Sequence, residues 1–188
     1  MSRWLVFCLI LGCLTGCNLI PVSKNNDQVE FIPMARPIGP KRRIVQHLTA
    51  VWSGHQENLL CVLELNNQGI AIAGLSDEGI SLFNLSYDGK KLVVDKSPLL
   101  TAGFIPELVV KDLQLAYWPA VEIQKILPLN WRLEANAHSR RLYFNNQLQA
   151  DVDYSQPDIS WPKSVNLTNH QYRYRLQINT ISYETVPE

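Results

Sequence analysis

The sequence predicts an α+β domain, an antiparallel β-sheet interrupted once by a pair of helices. Two observations predict it. Short apolar runs with alternating polar residues, separated by Gly, Asn and Asp turns, fill the chain from Ile44 to Val94 and again from Trp131 onward. Between them, apolar residues recur at helical spacing and are bracketed by prolines.

The first residues stand apart from that domain. Arg3 is followed by an unbroken apolar run, Trp4 to Leu11. A membrane-spanning helix needs about 20 apolar residues, so the run reads as the core of a secretory signal. It ends at Leu14-Thr15-Gly16-Cys17, which matches the lipobox of bacterial lipoprotein signals. Small residues let the strand lie flat in a peptidase cleft, and the Cys17 sulfur is the atom that accepts a diacylglyceryl group. Residues 1–16 are therefore expected to be removed, leaving a lipidated Cys17 as the N-terminus and the membrane as first partner. More than one acyl chain makes such anchoring stable. By resemblance to the sorting rule of enterobacterial lipoproteins, Asn18 points to the outer membrane, with the domain on the periplasmic face.

Residues 17–43 are expected to form the lipidated Cys and a flexible tether. Pro21, Pro33, Pro37 and Pro40 interrupt a polar stretch without a sustained period, which cannot bury enough apolar surface to offset its ordering entropy. Lys41-Arg42-Arg43 reads as a solvated entry to the first strand, with contact to anionic headgroups as the second reading.

A single globular domain is expected over 44–188. Ile44–Ser53, Asn58–Leu65, Ile70–Leu75, Ile80–Tyr87 and Leu92–Val94 are expected strands. The tight turns among them, including Asp88-Gly89, imply a meander. Pro106 suits a first helical position. Val109, Val110, Leu113, Ala116 and Tyr117 share a face, and Lys111, Asp112 and Gln114 lie largely elsewhere. A second short helix runs from Pro119 to Leu127. Strands resume at Trp131–Ala135, Arg140–Phe144 and Leu148–Tyr154, with Asn145-Asn146 as a turn. In the last expected strand, Tyr172, Tyr174, Leu176 and Ile178 alternate with polar residues, so one face is buried. Two arrangements satisfy these parts: helices packed on an open sheet, or a curled sheet whose concave side they plug. The second encloses an apolar cavity.

Charge says little about partners. The chain has 17 basic and 17 acidic residues, and loss of Arg3 leaves 16 against 17, a net of −1. Nucleic-acid recognition needs a clustered basic surface, and this balance gives it no support. Of 4 cysteines, Cys8 and Cys13 leave with the signal and Cys17 carries lipid. Cys61 alone remains, in an apolar strand that suggests a small buried hydrophobe.

Catalytic signatures are missing: no phosphate loop, no G-x-S-x-G, no H-E-x-x-H. No cofactor and no metal are expected, and the domain reads as non-enzymatic. His47 and His55 are too far apart along a continuous strand to share a metal. Asp151 and Asp153 share a strand face, as acid–base carboxylates could, yet read better as the wet face of a hairpin. Asn84-Leu85-Ser86 and Asn166-Leu167-Thr168 fit a glycosylation pattern, discounted because the lipobox is bacterial.

Two further stretches carry a family resemblance: Phe83-Asn84-Leu85-Ser86-Tyr87-Asp88-Gly89 with Ser97-Pro98-Leu99-Leu100, and Asp112-Leu113-Gln114-Leu115-Ala116-Tyr117-Trp118-Pro119. With the lipobox they resemble a family of short proteobacterial lipoproteins, domain of unknown function 3261, over roughly Thr49 to Leu133. The resemblance implies a LolA/LolB-like build: a curled antiparallel half-barrel with the helical pair covering its concave face. It also implies encoding beside fatty-acid-synthase-like enzymes that make aryl polyene or related lipids.

Together these readings lead to an outer-membrane-anchored lipoprotein that binds or helps transfer an acyl or polyene lipid, or another hydrophobic ligand, with a periplasmic carrier protein as its expected partner. Val109, Leu113, Tyr117 and Trp118 are the expected lid of the cavity, and Trp52, Leu63 and Phe83 its wall. The alternative is a packed scaffold lipoprotein of an envelope or export complex.

Overall fold

The computed structural model describes residues 33–100, 104–156 and 161–187. The expected signal, Cys17 and the first part of the tether lie outside the described residues.

Among the described residues, ten strands form one antiparallel sheet in the order β5-β4-β3-β2-β1-β10-β9-β8-β7-β6. The first meander is β1 (Arg42–Trp52), β2 (His55–Asn66), β3 (Gly69–Leu75), β4 (Ser81–Tyr87) and β5 (Leu92–Lys96). The second is β6 (Trp131–Ala135), β7 (Ser139–Phe144), β8 (Gln147–Ser155), β9 (Ser164–Asn169) and β10 (Tyr174–Thr185). β1 and β10 pair at the centre, leaving β5 and β6 as the two edges. Local turn chemistry builds the hairpins. Ser53 and Gly54, and Asn145 and Asn146, all have positive φ, as a two-residue hairpin turn requires to match strand twist.

Topology then dictates where the helices go. The chain leaves β5 at one edge and must enter β6 at the other. Nine strand spacings of about 4.8 Å would separate flat edges by about 43 Å. Curling brings them closer, and the connection crosses the concave face. α1 (Pro106–Tyr117) and α2 (Ala120–Ile126) make that crossing. Register shifts at Val45/Gln46, Gly74/Leu75 and Leu142/Tyr143 add local bends. The core lies between sheet and helices, with Ile44, Leu65, Val110, Ile123, Val152 and Val165 at its centre.

Several expectations need correction. β9 was not expected as a strand: Asn166-Leu167-Thr168 lies within it, and Val165 and Leu167 are buried between polar neighbours. β10 starts later than expected and runs further, because Arg173 takes φ 58° in the β9–β10 turn and the Tyr172 N–H donates to Asn169 Oδ1 at 2.9 Å. The stretch 33–40, expected as free tether, is strapped to the domain. The Ala35 N–H donates to Gln114 Oε1 at 2.7 Å, Gln114 Nε2 donates to the Pro33 carbonyl at 3.0 Å, and the Tyr87 hydroxyl donates to the Met34 carbonyl at 3.0 Å. Side chains thus satisfy a backbone that belongs to no helix or strand. Arg42 is not a solvated entry residue. It is 6 % exposed and donates to the Pro40 and Ile38 carbonyls.

One position tests the packing of the first meander. An ideal Cβ at Gly69 would lie 2.3 Å from the Tyr87 carbonyl oxygen of the neighbouring strand. Backbone cannot rotate away as a side chain can, so Gly69→Ala is expected to destabilise the fold by about 1–3 kcal/mol, read as a lowered urea midpoint.

Candidate functional site

A hollow of about 320 Å³ opens between α1 and the concave side of β1–β4 and β10. Its wall follows from strand alternation. Leu48, Ala50 and Trp52 of β1 face the same way, as do Leu59, Cys61 and Leu63 of β2, and Leu176 and Ile178 of β10. Its roof is one side of α1, with Leu108, Val109, Leu113 and Tyr117 at spacings of one, four and four residues. Phe104, which precedes the helix, closes on Phe83 with ring centroids 4.6 Å apart.

Six of the seven expected cavity residues line this hollow: Val109, Leu113 and Tyr117 from the roof, and Trp52, Leu63 and Phe83 from the wall. Trp118 does not. It is the C-cap, already in extended conformation, and is buried with its indole N–H donating to the Arg36 carbonyl at 2.6 Å. One residue beyond Tyr117 points about 100° further around the axis, toward the strap.

Glu57 and two hydrogen-bonded polar clusters interrupt the apolar lining. At one, Gln46 Nε2 donates to the Tyr117 hydroxyl at 2.8 Å and to Thr180 Oγ1 at 3.3 Å. The Tyr117 ring stacks on Trp161 at 4.2 Å, and burial pushes its hydroxyl well above the usual phenol range. At the other, the Tyr174 hydroxyl donates to Asp112 Oδ2 at 2.5 Å and receives Asn169 Nδ2 at 3.1 Å. Asp112 is a correction to the expected helix face. It is 8 % exposed and lines the hollow, and Gln114, 1 % exposed, is buried with it. Burial raises the Asp112 carboxyl to about 7, against the opposing pull of the bonds from Tyr174 and Asn169. No sequence signal separated Asp112 from an ordinary wet helix position. Only the docking of α1 on both sides reveals it.

The remaining chemistry-bearing residues lie elsewhere. Asp151 pairs with His170 Nε2 at 2.5 Å and Asp153 with Arg141 Nη2 at 2.8 Å. The chain does bend between His47 and His55, at the β1–β2 hairpin. Even so, they oppose Leu60 and Trp52, five residues apart along the ladder, about 16 Å. Among the described residues no group of three His, Cys, Asp or Glu side chains could hold a metal. Burial pushes the Cys61 thiol up to about 12, so it stays protonated and is a poor nucleophile at neutral pH.

Asp112 links stability to pH with an unusual sign. Its folded value lies above its ordinary 3.8, so the folded state holds the proton more tightly. That contribution is complete below about pH 4, declines as pH rises toward about 7, and is lost above it. Asp112→Asn is expected to remove this decline. The difference between wild-type and variant urea midpoints should then change steadily between those pH values. A constant difference would contradict the assignment.

Comparison with known proteins places this architecture. A solved LolA superfamily protein of Nitrosomonas europaea superposes with a TM-score of 0.51 at 7 % identity, covering 84 % of this chain and 91 % of that one. A domain assigned as an outer membrane lipoprotein-sorting protein from Vibrio parahaemolyticus superposes with a TM-score of 0.46 at 10 % identity, covering 79 % and 87 %. At 7 % identity the first likeness is one of fold alone, and it agrees with the curled open sheet and its two helices. A segment of 78 residues is 28 % identical to phosphatidylglycerol–prolipoprotein diacylglyceryl transferase of Streptococcus suis, strains 05ZYH33 and 98HAH33, covering 38 % of this chain. The chain spans only 29 % of that enzyme's length. The model of the family described as protein of unknown function (DUF3261) matches residues 43–182, the whole sheet but for its first residue and last strand end, and the chain belongs to that family.

Proposed function

We propose that the protein is a lipoprotein held at the periplasmic face of the outer membrane by lipid on Cys17, and that its domain binds or hands on a lipid or other hydrophobic ligand without altering it. The observation that carries this reading is the apolar hollow under α1. Its volume falls at the lower end of the range for small-molecule sites, and its few polar groups match the usual pattern of a largely apolar pocket with orienting contacts. A long apolar chain, acyl or polyene, gains about 25 cal/mol per Å² of surface withdrawn from water there. The non-enzymatic reading is supported by Cys61, the one sulfur nucleophile among the described lining residues, whose thiol burial keeps protonated. The LolA-type fold is compatible with such a carrier, and a periplasmic protein that delivers the ligand would complete it.

Native mass spectrometry of the protein isolated from membranes in a non-ionic detergent is expected to show lipid retained beyond the covalent acyl groups on Cys17. Val109→Trp, which fills the hollow from its roof, should lower retention about tenfold, a loss of roughly 1.4 kcal/mol. Wild-type protein without any apolar adduct would reject the reading.

The anchor is tested separately. Cys17→Ala is expected to leave residues 1–16 attached and to remove the acyl mass from the N-terminal peptide. Normal cleavage and membrane fractionation of that variant would overturn the assignment of Cys17.

A further inference from the structure

Asp112 brings a carboxyl into a largely apolar hollow, and its hydrogen-bond partners are neutral. Its carboxylate receives the Tyr174 hydroxyl and the Asn169 amide. No ion pair to it exists among the described residues. On its own helix the charged neighbours are Lys111 and Glu107, and Glu107 favours the charged form of Lys111 against the desolvation that disfavours it. From β2, Glu57 lines the hollow and adds a second acid. β9 and β10 present Asn169 and Tyr174, with Tyr172 in the turn between them, all neutral. Arg173 and Arg175 alternate with Tyr174 and are exposed, so they face away. β1 contributes Ala50 and Trp52. The charged groups that share this part of the lining are therefore acids.

A buried carboxylate with neutral partners is expensive, and a cation brought to it restores what desolvation took away. We propose that Asp112, oriented by Tyr174, is the head-group subsite of the hollow, and that it takes the ammonium of a long-chain amine or aminolipid whose chain lies along Leu48, Leu59, Leu176 and Ile178. This rests on the reading of the hollow as a ligand site and names the class of ligand. An ammonium donates charge-assisted hydrogen bonds to a carboxylate, stronger than those of a neutral hydroxyl. An anionic head would meet like charge.

The burial that lifts the Asp112 carboxyl toward neutrality supports the same conclusion through its sign. An alkyl ammonium stays charged up to about pH 10. It binds the ionised carboxylate, so its affinity must rise as pH passes about 7. An uncharged chain pressed against Asp112 favours the protonated form, so its affinity must fall over the same range.

The test is a titration of the full chain in non-ionic detergent with dodecylamine, dodecanol and dodecanoate. At about pH 8, dodecylamine is expected to bind about tenfold more tightly than dodecanol, and to lose most of that advantage near pH 6. Asp112→Asn should reduce dodecylamine to the level of dodecanol at both pH values. Equal binding of amine and alcohol at pH 8, or amine affinity indifferent to pH, would overturn the head-group assignment while leaving the hollow a ligand site. Failure of all three probes to bind would instead reject the ligand site itself. The wild-type pH profile decides the question even if Asp112→Asn does not fold.

Discussion

The pairing of β1 with β10 is the constraint on which the rest of the molecule depends. Eleven cross-strand pairs, from Arg42↔Thr185 to Trp52↔Tyr174, join strands from opposite ends of the domain. Each meander can form from local hairpins, but each alone exposes an apolar face. Joining them puts β5 and β6 at opposite edges and obliges the intervening chain to cross the concavity. The hollow is a product of that obligation. Such pairing closes a long loop before its contacts reward it, which costs entropy and slows folding.

α1 is held unequally at its two ends. Its last turn leaves carbonyls without helical partners, and the second meander supplies them. Arg140 Nη1 donates to the Leu115 carbonyl at 2.6 Å, and the Tyr154 hydroxyl donates to the Ala116 carbonyl at 2.7 Å. A guanidinium there also suits the negative end of the helix dipole. The first turn has no side-chain cap at Ile105 and meets the first meander through apolar contact, Phe104 against Phe83. The roof of the hollow is therefore pinned by hydrogen bonds at one end and by packing at the other.

Much of this was legible in the sequence, because the information was local. Asp88-Gly89 and Asn145-Asn146 announce hairpins through their own backbone preferences, and Pro106 and Pro119 bracket α1 because proline lacks the hydrogen-bond donor of a helix interior. What escaped was set by distant partners. Asp112 and Gln114 look like a wet helix face, yet Gln114 satisfies the backbone of Pro33 and Ala35, and Asp112 meets Tyr174 and Asn169. Periodicity detects apolar burial, and both residues are buried against polar atoms. The stretch 33–40 escaped for the complementary reason: its composition is that of a linker, and its order is supplied by Gln114 and Trp118. β9 was hidden because its run of six residues is short and only Val165 and Leu167 mark its inner face.

The route by which the chain enters its domain has a mechanical meaning. Coming from the N-terminal side, the backbone passes Gln114 at Pro33 and Ala35, then Trp118 at Arg36, before it reaches the sheet at Arg42. Tension applied upstream of Pro33 would thus be shared by the helix end over the hollow, through three hydrogen bonds, and by Tyr87 of β4, before it reached the long ladder of β1.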